Sequence, residues 1–366
     1  MNDDLFEQVI SFENLFHAAK KAVSGKRGKT APAEFHLNRS KYLVELQQAL
    51  QSGEYQPGSY HTFTIFEPKK RLISAAPFID RVVHHAICRV IEPIFEPTFI
   101  YDSYACRKGK GTHAAIDRFT YYARRYRFVL KCDVQKFFPS LDHDILKQQI
   151  RRKIRDVRLL AFIDRIIDNS NPQETVYNYF PGDDLFTPFE RRKGIPIGNL
   201  TSQFFANIYL NRFDHFIKDD LGIKGYIRYV DDMAMFGDDA CMLHSLLSKS
   251  INFLSDVRLR LHPNKCHVFQ TSKGVPFLGF TIFPDHRLVR RTSVTRFKRR
   301  LQKLQKQYQA GYSELADVRS SIHAWLGHVK HADSLGLRTY MLLNAVFKRG
   351  QVHQESCARG RVQQQS

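Results

Sequence analysis

The chain is short of three things: long apolar runs, paired cysteines and negative charge. Its apolar stretches, such as Val129–Leu130 or Ile195–Ile197, fall far below the ~20 residues that cross a bilayer, so no membrane span is expected. No apolar segment follows the acidic start Met1-Asn2-Asp3-Asp4, so a secretory signal is not expected either. Cys88, Cys106, Cys132, Cys241, Cys266 and Cys357 lie far apart in sequence with no CxxC pair. That spacing argues against a zinc ribbon or a disulfide framework and suits a reducing cytoplasm. Acidic residues number 36 against 56 Lys+Arg in 366 residues, a net charge of +20. With 43% hydrophobic and 13% aromatic residues the chain can build real cores, so wholesale disorder is excluded. A folded chain this basic points to a polyanion as partner, most simply nucleic acid. Composition leaves open whether that polyanion is bound or chemically worked on.

The length allows two or three domains. Residues 5–55 read as helical, with Leu15, Leu43, Leu46 and Leu50 at helix spacing and a basic loop from Lys20-Lys21 to Lys26-Arg27-Gly28-Lys29. The period changes at Thr62-Phe63-Thr64-Ile65-Phe66, a short strand broken by Pro68 and resumed near Leu72-Ile73. A buried helix is expected over 79–95, ended by Pro93 or Pro97, and another from Thr112 as N-cap. The strand Arg127–Asp133 precedes a helix over 142–168 and a polar loop over 169–194. Then come a helix over 199–220, a hairpin of 225–230 with 233–236, and a helix over 240–256. Short strands at 266–271 and 276–283 lead into an all-helical unit, 292–346. Strands and helices mix without a regular βαβ rhythm, so the expected class is α+β. No internal repeat is visible, and the tail beyond residue 347 reads as disordered.

Adjacent aspartates occur five times, at Asp3-Asp4, Asp183-Asp184, Asp219-Asp220, Asp231-Asp232 and Asp238-Asp239, so the dipeptide alone says little. Asp231-Asp232 differs by context, because it sits between the β-prone runs Tyr226–Val230 and Met233–Phe236. A strand–turn–strand there puts both carboxylates at the tip of a hairpin with buried flanks. Like charges held together repel, and a divalent cation relieves that. Asp133 ends the other clear strand. If the two elements are neighbours in one sheet, three carboxylates converge on a site that suits Mg²⁺ and phosphoryl transfer. On spacing alone, an ordinary hairpin turn with an unrelated strand-end aspartate is the favoured reading.

The surrounding residues carry a resemblance. Phe128-Val129-Leu130-Lys131-Cys132-Asp133-Val134-Gln135-Lys136-Phe137-Phe138 resembles the first catalytic motif of reverse transcriptases, and Tyr226–Asp232 is similar to their YxDD hairpin. Between them, Gly194-Ile195-Pro196-Ile197-Gly198-Asn199-Leu200-Thr201-Ser202-Gln203 resembles the motif that contacts template and nucleotide. Lys69-Lys70-Arg71, Arg81-Val82-Val83, Arg107–Gly111, Pro263-Asn264-Lys265 and Val275–Phe280 fit further blocks in order. The resemblance implies a right-hand polymerase fold: N-terminal helices and fingers over 1–125, and a palm over 126–285 with 150–194 inserted. A helical thumb over 286–346 and a disordered tail over 347–366 complete it.

The same resemblance implies RNA-directed DNA synthesis with two Mg²⁺ ions, or Mn²⁺ as a substitute, held by Asp133, Val134, Asp231 and Asp232. Lys265 would protonate the leaving pyrophosphate. Lys69 and Arg71 would meet the triphosphate, with Phe137, Phe138, Ile197, Gly198 and Gln203 around the nucleotide. Phe138, five residues after Asp133, matches the steric gate that leaves no room for a 2′-OH. Arg107, Lys108, Lys110, Phe277, Leu278, Gly279, Arg296, Arg299, Arg300 and Lys303 would hold primer and template. Nine basic residues and no acid lie between Arg287 and Lys306, which on a helix would track phosphates.

The middle motif departs from the common Gln-Gly-x-x-x-Ser-Pro. Ile197-Gly198-Asn199-Leu200-Thr201-Ser202-Gln203 resembles the reverse transcriptases of diversity-generating retroelements, which copy a template RNA with errors at adenines. A glutamine there can hydrogen-bond near the incoming nucleotide, whereas isoleucine offers no donor or acceptor. One such bond of ~1 kcal/mol is worth about fivefold in discrimination, so template geometry must contribute to strong error. This type implies template RNA, primer or cDNA, deoxynucleotides and a small basic accessory protein as partners, in the cytoplasm of a bacterium, archaeon or phage host. With about twenty residues after the thumb, a maturase, endonuclease or RNase H domain is not expected. A retron-, phage-defence- or intron-type reverse transcriptase is the nearest alternative, and a catalytically inactive RNA-binding protein the alternative of another class. His323, His328 and His331 cluster around Trp325, but their spacing is not a standard zinc pattern. They read as helix-surface histidines, as do His84, His85 and His143.

Overall fold

The structure, a computed structural model, describes residues 4–26, 30–66, 70–170 and 174–349. The chain forms two compact units, Met1–Gln270 and Thr271–Ser366. The expected tail lies largely outside the described residues; of its first three, Phe347 packs against the core of the second unit and Arg349 pairs with Glu314 at 2.8 Å.

The first unit opens with helices α1 (Leu5–Ile10), α2 (Phe12–Val23), α3 (Thr30–Leu37) and α4 (Arg39–Ser52). Their apolar positions Leu15, Leu43, Leu46 and Leu50 are buried, as the helical spacing requires. A two-stranded antiparallel ribbon follows, β1 (His61–Ile65) with β2 (Arg71–Ala75). Helix α5 (Phe78–Phe95) runs through Pro93 rather than ending there. In the last turn the proline removes only one ladder bond, and continuing the helix buries Phe95.

Helix α6 (Thr112–Arg125) starts where expected, but Gly111 holds the cap position. The Thr112 hydroxyl is instead 3.0 Å from the Tyr229 hydroxyl, across to the hairpin. After β3 (Phe128–Asp133) and the single turn α7 (Phe137–Ser140), the expected helix over 142–168 is two: α8 (His143–Arg151) and α9 (Val157–Asp168). Each has its own cap. Asp142 accepts from the Asp144 and Ile145 N–H groups, and Asp156 from Leu159. The loop beyond holds one short turn, α10 (Thr187–Glu190), and then α11 (Leu200–His215) runs through the core into a π-turn at Phe216–Asp220.

Strands β4 (Tyr226–Tyr229) and β5 (Asp232–Gly237), helix α12 (Ala240–Asp256) and strand β6 (His267–Gln270) complete this unit. Strands β3 to β6 form one antiparallel sheet in the order β4-β5-β3-β6. Strand β3 is interior, which fits its buried Val129, Leu130 and Cys132. This confirms the α+β class: helices packed on an antiparallel sheet.

The second unit has a three-stranded antiparallel sheet, β7 (Val275–Phe277), β8 (Phe280–Ile282) and β9 (Arg287–Val289), then helices α13 (Arg291–Gln309), α14 (Leu315–Val329) and α15 (Leu335–Leu343). Its core includes Phe297 stacked on Trp325 at 4.0 Å between ring centroids, with Leu301, Val329 and Met341. Among the described residues no helix is long and apolar enough to cross a membrane.

Candidate active site

Strand β3 delivers Asp133 at its last position, directly opposite Asp232, the first residue of β5. Cross-strand partners in such a sheet are roughly 5 Å apart at Cα. Asp231 sits one residue earlier, in the two-residue turn between β4 and β5, and its carbonyl accepts from the Val134 N–H at 3.4 Å. The Asp231 and Asp133 carboxyl groups lie within hydrogen-bonding reach of each other. The three acids therefore meet at one end of the sheet.

Crowding shows in their electrostatics. Burial, and next the charge of Asp133, push the Asp231 carboxyl up to about 6. Burial also raises Asp232, against which Lys131 acts as the counter-charge at 3.2 Å. Lys265, expected to protonate pyrophosphate, donates to the Asp133 carboxylate. Lys131 stands two residues before Asp133 on the same strand face, a position the alternation of a strand marks out but the motif reading overlooked.

Among the described residues no group of three or more acidic, His or Cys side chains is arranged so as to hold a metal ion as it stands. Mg²⁺ needs no such cage, because it keeps waters and takes substrate phosphates as further ligands. Hard carboxylate oxygens, mutual repulsion and a half-exposed position suit it. Val134 is 2% exposed, so its side chain serves the core and only its backbone faces the site.

The segment Gly194–Asn199 ties this end of the sheet to the β1–β2 ribbon. The Gly194 N–H donates to the Leu141 carbonyl at 2.8 Å and Ile195 to the Phe138 carbonyl at 3.0 Å. Two residues on, the Ile197 carbonyl accepts from the Ser74 N–H at 3.1 Å. Gly198 has φ 118°, and a Cβ there would stand 3.0 Å from Ile73, so both backbone and space call for glycine. Ile197 is half-buried; Gly198, Gln203 and Arg71 are exposed. Phe138 is half-buried and meets the ring of Phe137 edge-on at 5.4 Å; Phe137 itself is 3% exposed and belongs to the core. Lys69 lies outside the described residues.

The basic block divides. Arg107 is turned inward, with its guanidinium on Glu96 and on the carbonyls of Ile100 and Ser103 at 2.6 and 2.9 Å. Lys108 is exposed, and Lys110 covers the ring of Tyr101 at 3.3 Å. In the second unit Leu278 and Gly279 form the tight β7–β8 turn, both at positive φ. Phe277 is buried, and Arg296, Arg299, Arg300 and Lys303 are exposed at i, i+3, i+4 and i+7 on one face of α13.

Two histidines depart from their sequence reading. His84 and His143 are buried at 3% exposure rather than at the surface. His143 Nε2 is 2.8 Å from the Gly194 carbonyl, whereas burial lowers His84 to about 4. Cys266, just before β6, stands beside Cys132 of β3, and the hydrogen bond between them draws the Cys266 thiol down to about 7.

The family model described as "Reverse transcriptase (RNA-dependent DNA polymerase)" matches residues 65–282, more than half of the chain. An uncharacterized 91 kDa protein in the cob intron of Schizosaccharomyces pombe is 27% identical over 242 residues, 63% of this chain and 28% of that protein. The group II intron-encoded protein LtrA of Lactococcus lactis subsp. cremoris is 24% identical over 57% of this chain and 33% of its own length. Protein YkfC of Escherichia coli is 24% identical over 79% of this chain and 84% of its own. The chain thus spans about a third or less of the two intron-borne relatives and most of the third.

Proposed function

The chain belongs to the reverse transcriptase family, with its right-hand polymerase fold, and we propose that it copies a template RNA into cDNA by nucleotidyl transfer. The observation that carries the proposal is the convergence of Asp133, Asp231 and Asp232 at one end of the antiparallel sheet. An RNA-binding protein without activity has no use for three crowded carboxylates whose repulsion costs stability.

Asp133, Asp231 and Asp232, with the Val134 backbone, hold the divalent ions in this reading. Two Mg²⁺ bound there supply Lewis acidity to the attacking 3′-hydroxyl and the leaving oxygen. The residues around them do the rest. Lys265 reaches this cluster and gives a proton to the departing pyrophosphate, while Lys69 and Arg71 neutralise the triphosphate. Phe138 closes the space a 2′-OH would need. Gly198 lets the backbone approach the base pair, and Ile197 and Gln203 border it. Leu278 and Gly279, in the β7–β8 turn, grip the primer, and the α13 stripe with Lys108 and Lys110 follows duplex phosphates.

Within the family we assign the chain to the diversity-generating type, on the Ile197-Gly198 sequence. Isoleucine presents no hydrogen-bonding group to the nucleotide. A structured template RNA and a small basic accessory protein belong to this reading. The intron-encoded relatives favour a second reading, an intron-type enzyme. Primer extension on RNA with the purified chain, followed by cDNA sequencing, tests both levels. Mg²⁺-dependent product that EDTA abolishes is expected, with errors concentrated at template adenines that Ile197→Gln reduces. No product would overturn the polymerase reading; accurate copying would leave the intron-type reading.

A further inference from the structure

The turn that carries Asp231 is held in a conformation its own residues resist. Val230 stands at φ 56°, a region in which a β-branched residue is a true outlier. The Tyr229↔Asp232 register leaves Val230 and Asp231 as a two-residue turn, and of the two only Val230 has positive φ. That is the pattern of a type II′ turn, whose first position is ordinarily glycine. Such a conformation persists only where the surroundings over-determine it.

The surroundings here are a buried guanidinium. Arg228 is 0% exposed. Its Nε and Nη2 donate to the Asp214 carboxylate at 2.7–3.0 Å. Its Nη1 donates to Asn207 Oδ1 at 3.1 Å and to the Val230 carbonyl at 3.2 Å. Asp214 also accepts from the Tyr226 hydroxyl at 2.7 Å, and Asn207 donates to the Ala105 carbonyl at 2.9 Å. The Arg228 backbone is fixed on its other side, bonded to the Asp102 carbonyl and the Tyr104 N–H at 3.0 Å each.

Stability is a weak reason for such a cation. A buried ion pair can usually be replaced by packed apolar side chains without loss. What an apolar residue cannot do, and a lysine cannot do from one point, is satisfy a carboxylate with two N–H groups while aiming a third at a turn carbonyl.

We propose that Arg228 is a positioning residue for the active site. Through Nη1 it holds the Val230 peptide in its left-handed turn and so sets where Asp231 and Asp232 present their carboxylates to Asp133. Helix α11, which supplies Asp214 and Asn207, thereby links the nucleotide-side segment Gly198-Asn199 to the carboxylate tip. The inference rests on the polymerase reading above.

A double-variant cycle tests it, with Arg228→Lys, Val230→Gly and the pair together. Primer extension gives kcat and the KM for deoxynucleotide, and Mn²⁺ binding by electron paramagnetic resonance gives a readout independent of turnover. Arg228→Lys keeps the Asp214 pair and loses the Nη1 bond, so kcat falls about ten- to hundredfold while KM moves about threefold or less. Mn²⁺ binding weakens in parallel. Glycine needs no clamp at φ 56°, so the double variant regains about tenfold or more over Arg228→Lys in kcat and recovers Mn²⁺ affinity. Arg228→Lys at the wild-type rate, or a folded double variant no better than the single one in either readout, overturns the proposal. Should Arg228→Lys fail to fold, Asn207→Leu takes its place, keeping the Asp214 pair and removing the acceptor that aims Nη1. A wild-type chain that extends no primer refutes the polymerase reading, whereas the Mn²⁺ arm still decides the role of Arg228.

Discussion

Phe138 and His84 illustrate how differently single residues report themselves. Phe138 is half-buried at the carboxylate end of the sheet, one position after the buried Phe137. Truncation to alanine opens the space beside a nucleotide sugar, so Phe138→Ala should raise the ratio of ribonucleotide to deoxynucleotide incorporation by about tenfold or more. An unchanged ratio in competitive extension would dismiss the gate. His84 has a purely structural consequence. Burial, aided by the charges of His85 and Arg81, lowers it to about 4, while the unfolded chain titrates near the ordinary 6.5. The unfolded state therefore binds the extra proton between those values. Its contribution is complete above about pH 6.5 and is lost as pH falls toward 4, by about 2 kcal/mol between pH 7 and pH 5. Urea midpoints at the two pH values should show that loss, and His84→Leu should flatten it; an equal loss in the variant would assign it elsewhere. At this scale the strand-end places of Asp133 and Asp232 were legible, because apolar strands ending in acids are locally visible. The role of Arg228 was not, since an arginine inside an apolar strand reads as an exposed position until its partners on α11 are known.

Elements were legible where local period and caps agree and misread where a cap interrupts a period. The apolar pattern runs across 142–168, but the Asp156 side chain takes the Leu159 N–H and restarts the helix. Of the two expected ends, the helix passes Pro93, where Phe95 burial holds it, and stops before Pro97. The short strand expected over 276–283 is a pair, β7 and β8, joined by an unforeseen β9, and the three pair with one another and group with the helices that follow. Their register depends on pairing that no single strand announces. Helix α13 was the clearest element, with Phe297 and Leu301 inward and the Arg296, Arg299, Arg300 and Lys303 stripe exposed. Replacing those four by glutamine should weaken binding to an RNA–DNA duplex and lower the slope of log affinity against log salt by about 2–3, near the full value if each charge neutralises a phosphate. Equal slopes for variant and wild type in a salt titration would show that the stripe does not touch the duplex.

For the whole molecule, a +20 balance points to a polyanion, and the order of motifs along residues 65–282 named the family. What the order could not show is how close the parts come. Asp133 and Asp232 are a hundred residues apart in sequence and become directly opposed only through the β3–β5 register. That juxtaposition is the basis of the polymerase account, and one comparison tests it most directly. Wild type and Asp231→Asn are assayed side by side for Mg²⁺-dependent extension of a primer on RNA and for binding of the same primer–template. The account predicts cDNA from the wild type, none from the variant, and binding equal within about twofold, since the substitution removes a metal ligand and no phosphate contact. Full-length cDNA from Asp231→Asn would contradict it.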